Sequence, residues 1–264
     1  TEYKKMELAA LMLDVDGTIA ESEDAHREAF NAAFKEFGVA WHWDQAIYRD
    51  LLGVSGGRER IRHYIDRTHP EMASRPDLYS FIEAMHQAKS QAYAELVADK
   101  AVGVRPGVIR LLSEVRECGL RLALVTSTTE ENLHALFDKA LGNDVLSWFE
   151  VIGDGNKVPA KKPAPDIYSW ALQELGLPAA ACLAIEDSPK GLQASLAAGV
   201  AAIVTVSIYT EGEDFTGATA VMSDLGEPDK PFELVSGDAH DATYVTVDLL
   251  KQWFDEAQTA RLSA

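Results

Sequence analysis

The sequence predicts an α/β protein with a Rossmann-like parallel sheet and an all-helical domain inserted near its beginning. Two observations lead to this prediction. After residue 103, short apolar runs alternate with stretches of helical spacing, a pattern typical of parallel strands joined by right-handed helical crossovers. Between residues 21 and 100, only helical spacing is found. We therefore predict a discontinuous α/β domain over residues 1–20 and 103–264 and a helical domain over residues 21–102.

The first predicted strand covers residues 8–13, a continuous apolar run that ends at the motif Asp14-Val15-Asp16-Gly17-Thr18. A run of this length, stopped by a glycine, is typical of a buried strand. In the inserted domain, apolar residues recur at the spacing of one helix face. This spacing predicts helices at residues 23–37, 47–52, 61–65 and 81–96.

Strands and helices alternate through the rest of the chain. Predicted strands cover residues 121–126, 149–152, 182–185 and 200–206. Predicted helices cover residues 106–118, 130–140, 166–175 and 189–198. In the tail, residues 244–247 indicate an added strand, residues 249–257 an amphipathic helix, and residues 227–240 a loop.

The chain is strongly acidic, with a formal net charge of −18 over 264 residues. This charge disfavours nucleic acid and anionic membrane surfaces as partners, and a phosphate site must gather its own cations or a metal. No apolar run approaches the roughly 20 residues that span a bilayer, and the polar segment Thr1 to Met6 has no signal-peptide hydrophobic region. We expect a cytoplasmic, monomeric protein whose cysteines, Cys118 and Cys182, are reduced core thiols.

Two carboxylates separated by one residue, Asp14 and Asp16, stand at the end of the first predicted strand. In open α/β sheets, ligands bind at the carboxyl ends of the strands. The pair has the residue types to share a hard cation, with one carboxylate attacking phosphorus while the other handles protons. The alternative is a turn with two solvated aspartates. A calcium loop fits poorly, because Thr18 and Ile19 stand where an acidic residue and a glycine are expected.

Hydroxyl side chains, Thr126 and Ser127, stand where the strand predicted at residues 121–126 ends. Thr128 followed by Glu131 has the spacing of a capping box, which predicts a helix start. Free backbone N–H groups at a helix start suit a phosphoryl oxygen. The alternative is simple N-capping without a ligand.

Two further segments complete the set. Lys162 precedes a proline, which favours extended backbone and lets the lysine reach toward the sheet edge. Glu186 and Asp187 follow the strand predicted at residues 182–185, and Ser188 suits a helix N-cap. The alternative for the Lys162 segment is a solvated basic loop, and the alternative for Glu186, Asp187 and Ser188 is structural capping of a helix. Together with the first two segments, they bring a metal site, a nucleophile, an acid/base and phosphate-binding cations to one crevice.

These motifs resemble a known family. Asp14-Val15-Asp16-Gly17-Thr18, Thr126, Lys162 and Glu186-Asp187 match, in order, the four motifs of the haloacid dehalogenase-like superfamily, to about residue 225. The helical insert resembles the cap of its β-phosphoglucomutase-like branch. Within that branch, the chain is similar to the CbbY group of xylulose-1,5-bisphosphate phosphatases associated with the Calvin cycle. The residues that carry this last similarity are Glu23, His26-Arg27, Trp41-His42-Trp43-Asp44, Tyr48-Arg49, Gly56-Gly57-Arg58-Glu59-Arg60 and His86-Gln87-Ala88-Lys89.

The resemblance implies a mechanism. Asp14 attacks the phosphoryl group and forms an aspartyl-phosphate, and Asp16 acts as general acid and then as general base. Thr126 and Lys162 hold the phosphoryl oxygens. The implied cofactor is Mg²⁺, held by Asp14, the backbone carbonyl of Asp16, and Asp187, with Glu186 as an outer partner.

The resemblance also implies a small phosphorylated sugar as substrate, with xylulose 1,5-bisphosphate converted to xylulose 5-phosphate. Glu23 and His26 are expected to contact the sugar. The second phosphate is expected to meet the cationic set of the cap, which consists of Arg58, Arg60, Arg49 and Lys89. The alternative for the cap residues is an exposed helix surface, where Arg58 and Arg62 have the spacing to pair with Asp66. The residues predicted to bind substrate are Glu23, His26, Arg49, Gly56, Gly57, Arg58, Arg60, Lys89 and Ser127.

Three alternatives remain open at this point. A mutase of the same fold shares the machinery and returns the phosphoryl group to a sugar. The segment Gly53-Val54-Ser55-Gly56-Gly57 fits the G-x-S-x-G elbow of serine hydrolases, which requires a preceding strand. The third alternative is a non-catalytic, metal-binding module.

Overall fold

The computed structural model of the chain describes residues 6–99 and 102–263. Most of the polar segment Thr1 to Met6, and Lys100 at the end of the helical stretch, lie outside the described residues. None of the helices in the described part of the chain has the length and apolar character needed to cross a membrane.

A seven-stranded sheet forms the centre of the fold. Its strands are β1 (Ala10–Leu13), β2 (Arg121–Val125), β3 (Val151–Gly153), β4 (Cys182–Glu186), β5 (Ala201–Thr205), β6 (Val221–Met222) and β7 (Leu234–Ser236). Their spatial order is β3-β2-β1-β4-β5-β6-β7, and every neighbouring pair is parallel except the antiparallel pair β6–β7. The predicted α/β class with a Rossmann-like parallel sheet is confirmed.

The inserted segment is entirely helical where it is described. Its helices are α1 (Glu23–Glu36), α2 (Gln45–Leu51), α3 (Gly57–Thr68), α4 (Pro70–Ala73) and α5 (Leu78–Asp99). Aromatic rings from α1, α2 and the loop between them pack at its centre. This is the all-helical insert predicted from the periodicity, which is called the cap below, while the domain boundaries at residues 20/21 and 102/103 stay a prediction.

The remaining helices cover the two faces of the sheet. They are α6 (Val108–Glu117), α7 (Glu130–Leu136), which continues as a π-helical turn (Phe137–Leu141), α8 (Asn143–Leu146), α9 (Asp166–Leu175), α10 (Pro189–Ala197) and α11 (Val247–Ser263). Because side chains alternate along a strand, Leu11 and Leu13 pack with α6, α7 and α11, while Ala10 and Met12 pack with α9 and α10.

The tail differs from its prediction in two places. Residues 244–247 form no strand: Val245 and Val247 are buried because this loop packs against the core, and Val247 begins α11. The alternating apolar pattern therefore reflects a buried loop. Within residues 227–240, predicted as a loop, β7 adds an exposed edge strand. Cys118 is exposed, so its prediction as a core thiol is wrong, whereas Cys182 is buried.

The helix α11 closes the core on the α6 face. Trp253 is fully buried, and its indole Nε1 donates to the Asp238 carbonyl at 2.7 Å. We expect Trp253→Ala to lower the free energy of unfolding by about 3–5 kcal/mol, since it leaves a large cavity. Leu262→Ala, at an exposed position of the same helix, is the matched control and should change stability by less than about 0.5 kcal/mol. Urea denaturation measures both, and equal losses would contradict this role for α11.

Candidate active site

The carboxyl ends of three neighbouring strands bring the predicted core residues together. Leu13 of β1 lies level with Leu124 of β2 and Ile185 of β4, so the residues that follow them meet at one edge of the sheet. The side chains that meet there, all buried, are Asp14, Thr126, Lys162, Glu186 and Asp187.

The Lys162 ammonium bridges two carboxylates. Its Nζ donates to Asp14 Oδ1 and to Glu186 Oε1, each at 2.7 Å. Burial alone would lower the pKa of Lys162, but the charges of Asp14 and Glu186 outweigh it and raise that pKa above its ordinary value. Burial raises the pKa of Asp14, although Lys162 opposes the shift. Lys162 is thus a permanent positive charge beside the Asp14 carboxylate.

Asp14, Glu186 and Asp187 form a buried acidic cluster whose potential ligand oxygens all lie within 4.8 Å of one another. Glu186 Oε2 is buried and has no hydrogen-bond partner among the described residues. Burial raises the pKa of Glu186 to about 7, and burial with the nearby Asp14 charge raises that of Asp187 well above its ordinary value. These raised pKa values show that the three carboxylates are unfavourable as charged groups without a cation. When all three are ionised beside one lysine, two negative charges remain, which a divalent cation that prefers oxygen ligands would balance.

Two glycines leave room for this cluster. A Cβ atom at Gly17 would collide with Asp187 Oδ2, and one at Gly191 would collide with Glu186 Oε2. Gly17 also has a φ of +82°, which favours glycine. The glycine of the first motif is therefore needed both for the turn and for the carboxylate beside it.

Asp16 lies outside the acidic cluster, and its side chain points to the cap. Its Oδ1 accepts hydrogen bonds from Ser22 Oγ and, at 3.0 Å, from His26 Nε2. Lys89 Nζ donates to His26 Nδ1 at 2.7 Å, which leaves the proton of a neutral ring on Nε2. Burial would raise the pKa of Asp16, but His26, Ser22 and Lys89 together hold it below its ordinary value. Burial lowers the pKa of Lys89 to about 7.

Thr126 is buried, and its Oγ1 accepts a hydrogen bond from the Thr128 amide at 3.1 Å. Ser127 lies beside it at the cavity wall. The predicted capping box is wrong: the helix begins one residue later, with Thr129 as N-cap and no side-chain cap bond. Thr126 and Ser127, the two hydroxyl residues predicted to lie near the phosphate, nevertheless lie at the sheet edge.

One cavity of about 670 Å³ lies between the sheet edge and the cap. Its volume is in the range of small-molecule sites. It is lined by every predicted substrate-binding residue, namely Glu23, His26, Arg49, Gly56, Gly57, Arg58, Arg60, Lys89 and Ser127, and by Asp14, Asp16, Thr126, Lys162 and Asp187. Glu186 lies behind this lining, fully buried.

The cap arginines all have protein partners. Arg58 forms a two-bond ion pair with Glu83, so the alternative that it pairs with Asp66 is wrong. Arg62 does pair with Asp66, at 2.9 Å. Arg60 is buried and donates to backbone carbonyls and a tyrosine hydroxyl of the cap. The roles predicted for Arg58 and Arg60 in substrate binding stay predictions.

Two cavity residues were missed in the sequence. Lys190 Nζ donates across the cleft to the Leu52 carbonyl of the cap, and burial lowers the pKa of Lys190 to about 8. A positive charge in the first turn of a helix is unfavourable because it opposes the helix dipole. The position of Lys190 at the start of α10 was therefore the sequence feature that could have indicated a functional role. Tyr209 belongs to the loop after β5 and packs within the cap, a position that no local pattern indicates.

The Ser55 segment lies between α2 and α3 and follows a helix. A nucleophile elbow needs a strand at that place. The serine-hydrolase alternative is therefore wrong.

Comparison with known proteins agrees with this geometry. Residues 11–205 match the family described as haloacid dehalogenase-like hydrolase. A CbbY protein of Cupriavidus necator is 44% identical over 247 residues, which cover 93% of this chain and 96% of that protein. The fold and site therefore define a phosphatase-class enzyme, and the non-catalytic alternative is wrong. The chain belongs to the haloacid dehalogenase-like hydrolase family.

Solved structures show the same resemblance. CbbY from Rhodobacter sphaeroides in complex with phosphate is 40% identical, with a TM-score of 0.77 over 82% of this chain and 94% of that one. A variant of that protein, solved with xylulose 1,5-bisphosphate, has the same TM-score at 39% identity. A β-phosphoglucomutase from Clostridium difficile, 18% identical, has a TM-score of 0.73 over 96% of this chain and 99% of that one, and shows the fold alone.

Proposed function

We propose that this protein is a Mg²⁺-dependent phosphatase that converts xylulose 1,5-bisphosphate to xylulose 5-phosphate. The observation that carries the proposal is the placement of Asp14 at the floor of the capped cavity. There it lies beside a permanent lysine charge and within a buried carboxylate cluster. The similarity to CbbY, one variant of which was solved with this bisphosphate, supports the choice of substrate.

In the first step, an Asp14 oxygen forms a bond to phosphorus and the bond from phosphorus to the sugar oxygen breaks. Lys162 and Thr126 hold phosphoryl oxygens, where the transition-state charge is spread. Asp16 delivers a proton to the leaving sugar oxygen. The Nε2–H of His26 is hydrogen-bonded to Asp16 Oδ1 and is placed to supply that proton. Lys89 Nζ, hydrogen-bonded to His26 Nδ1, gives a proton to that nitrogen at the same time, so the ring stays neutral.

In the second step, water hydrolyses the aspartyl-phosphate. Asp16, held as a carboxylate by His26 and Ser22, accepts the proton of the attacking water. The cap limits access of bulk water to the cavity.

Asp14, Asp187 and the Asp16 carbonyl are the residues that would hold Mg²⁺, with Glu186 beside them. When bound, Mg²⁺ supplies positive charge that neutralises the phosphoryl oxygens. Two observations indicate that these residues suit Mg²⁺: the carboxylates are buried close together, and Glu186 Oε2 has no hydrogen-bond partner among the described residues.

The direct test is phosphate release from xylulose 1,5-bisphosphate and xylulose 5-phosphate, with Mg²⁺ present and products analysed. We expect stoichiometric phosphate and xylulose 5-phosphate from the bisphosphate, and slower turnover of the monophosphate. An isomeric sugar phosphate without free phosphate would favour the mutase alternative. Equal turnover of both substrates would contradict the bisphosphate preference.

The second phosphate gives a prediction about Arg58, which lines the cavity although it pairs with Glu83. We expect Arg58→Ala to lower kcat/KM for the bisphosphate by a factor that corresponds to about 2 kcal/mol of transition-state binding, the range of hydrogen bonds to charged groups. The monophosphate should be affected much less. Arg62→Ala is the matched control, because Arg62 lies on the same helix in an ion pair outside the cavity lining. If both variants behave alike, the remote-phosphate role of Arg58 fails.

The cytoplasmic location and the monomeric state also remain predictions. Light scattering at several protein concentrations tests the second of these.

A further inference from the structure

The loop after β5 carries a residue that belongs to the aromatic core of the cap. Tyr209 is only 5% exposed and packs in the cluster formed by the cap helices. Its ring lies edge-on against Tyr48 of α2, with centroids 5.7 Å apart. Because Tyr209 follows the sheet and Tyr48 belongs to the insert, this contact crosses the cleft.

Two polar contacts reinforce the crossing. The Tyr209 hydroxyl donates to Asp24 Oδ1 in the first turn of α1. Arg49 Nη2 donates to the Ile208 carbonyl at 2.8 Å. Burial, and next the hydrogen bond to Asp24, raises the pKa of Tyr209 above its ordinary value, so the hydroxyl remains a donor.

The contact leads on to the cavity. The Tyr48 hydroxyl donates to Glu23 Oε2 at 2.9 Å and accepts from Arg60 Nη1 at 3.1 Å. Tyr48 is fully buried, so its hydroxyl cannot turn to water in place of Glu23. Glu23 itself lines the cavity. The orientation of its carboxylate therefore depends on the position of Tyr48, which rests on Tyr209.

The base of the loop is itself fixed to the sheet. The Ser207 amide donates to Thr210 Oγ1 at 3.0 Å, and buried Arg105 donates to the Val206 carbonyl at 2.6 Å. Tyr209 thus stands on a rigid support, as residues that orient a binding group require.

We propose that Tyr209 is a positioning residue that fastens the cap over the cleft and, through Tyr48, holds Glu23 toward the substrate. The proposal rests on the proposed function, because the group that Glu23 meets is the sugar. The sequence assigns the sugar contact to residues of the cap alone. Under this proposal, the contact also depends on Tyr209, which follows β5 of the α/β domain.

Kinetics with two substrates test the positioning. We expect Tyr209→Ala to lower kcat/KM for xylulose 1,5-bisphosphate by about 10- to 100-fold, the cost of a small misplacement. Hydrolysis of p-nitrophenyl phosphate, which offers Glu23 no sugar hydroxyl, depends only on the fastening and should fall by a clearly smaller factor. Tyr209→Phe keeps the ring and should recover part of the loss. The matched control is Tyr79→Ala, an exposed tyrosine of the cap.

A double variant separates positioning from a general loss of stability. If Tyr209 acts through Glu23, then Tyr209→Ala should cost little more in a Glu23→Gln background, since coupled residues are not additive. Additive losses, or equal losses with both substrates, would overturn the proposal while leaving the phosphatase function standing.

Hydrogen exchange tests the fastening without any substrate. We expect amides of α1 and α2 to exchange faster in Tyr209→Ala than in wild type and to be unchanged in Tyr79→Ala. If wild type fails to hydrolyse the bisphosphate, the proposed function fails and this measurement alone decides the fastening. Unchanged exchange in Tyr209→Ala would overturn it.

Discussion

Replacing Asp14 with asparagine is expected to abolish phosphate release and leave the fold intact. The change is nearly isosteric, and it removes the carboxylate oxygen that attacks phosphorus. Loss of a covalent nucleophile costs about 10⁴-fold or more in turnover. Because burial and the neighbouring Asp16 charge raise the pKa of Asp14, the ionised carboxylate is unfavourable there. Thermal stability without metal should therefore be unchanged or higher.

Steady-state phosphate release and thermal denaturation measure the two effects. Asp66→Asn, an exposed carboxylate on α3, is the matched control and should retain wild-type turnover. An Asp14→Asn variant with a tenth of the wild-type rate would exclude the covalent mechanism.

The second large effect concerns the metal. We expect excess EDTA to remove activity and added Mg²⁺ to restore it, since the buried cluster offers only hard oxygen ligands. Asp187→Ala removes one of these carboxylates and should raise the Mg²⁺ concentration for half-maximal rate by more than about tenfold. Mutation of residues that only hydrogen-bond to metal ligands already lowers metal affinity or activity about 10- to 100-fold.

A Mg²⁺ titration of each variant measures this requirement. Glu211→Ala, at an exposed carboxylate, should leave it unchanged. Full activity in EDTA would contradict metal dependence, and an unchanged requirement in Asp187→Ala would mean that the metal lies elsewhere.

Strands β1 to β5 and most helices were predictable because their signals are local, whereas the short strands β6 and β7 were not predicted. The apolar run before Asp14 and the alternation after residue 103 need only neighbouring residues to be recognised. Residues 244–247 were mispredicted for the same reason: burial of a loop against α6 produces the apolar pattern of a strand, and only the packing distinguishes the two. The capping box at Thr128 failed by one residue, within the usual uncertainty of helix ends.

The sequence by itself determined the fold class, the helical insert, and the residue types at the ends of β1, β2 and β4. These follow from periodicity and from the rule that parallel strands present their carboxyl ends at one edge. Only the tertiary structure decided which groups meet. It joined Lys162 to both Asp14 and Glu186, paired Arg58 with Glu83, and placed Tyr209 inside the cap. Such contacts join residues far apart in the chain, and their partners are selected by packing, which local spacing does not encode.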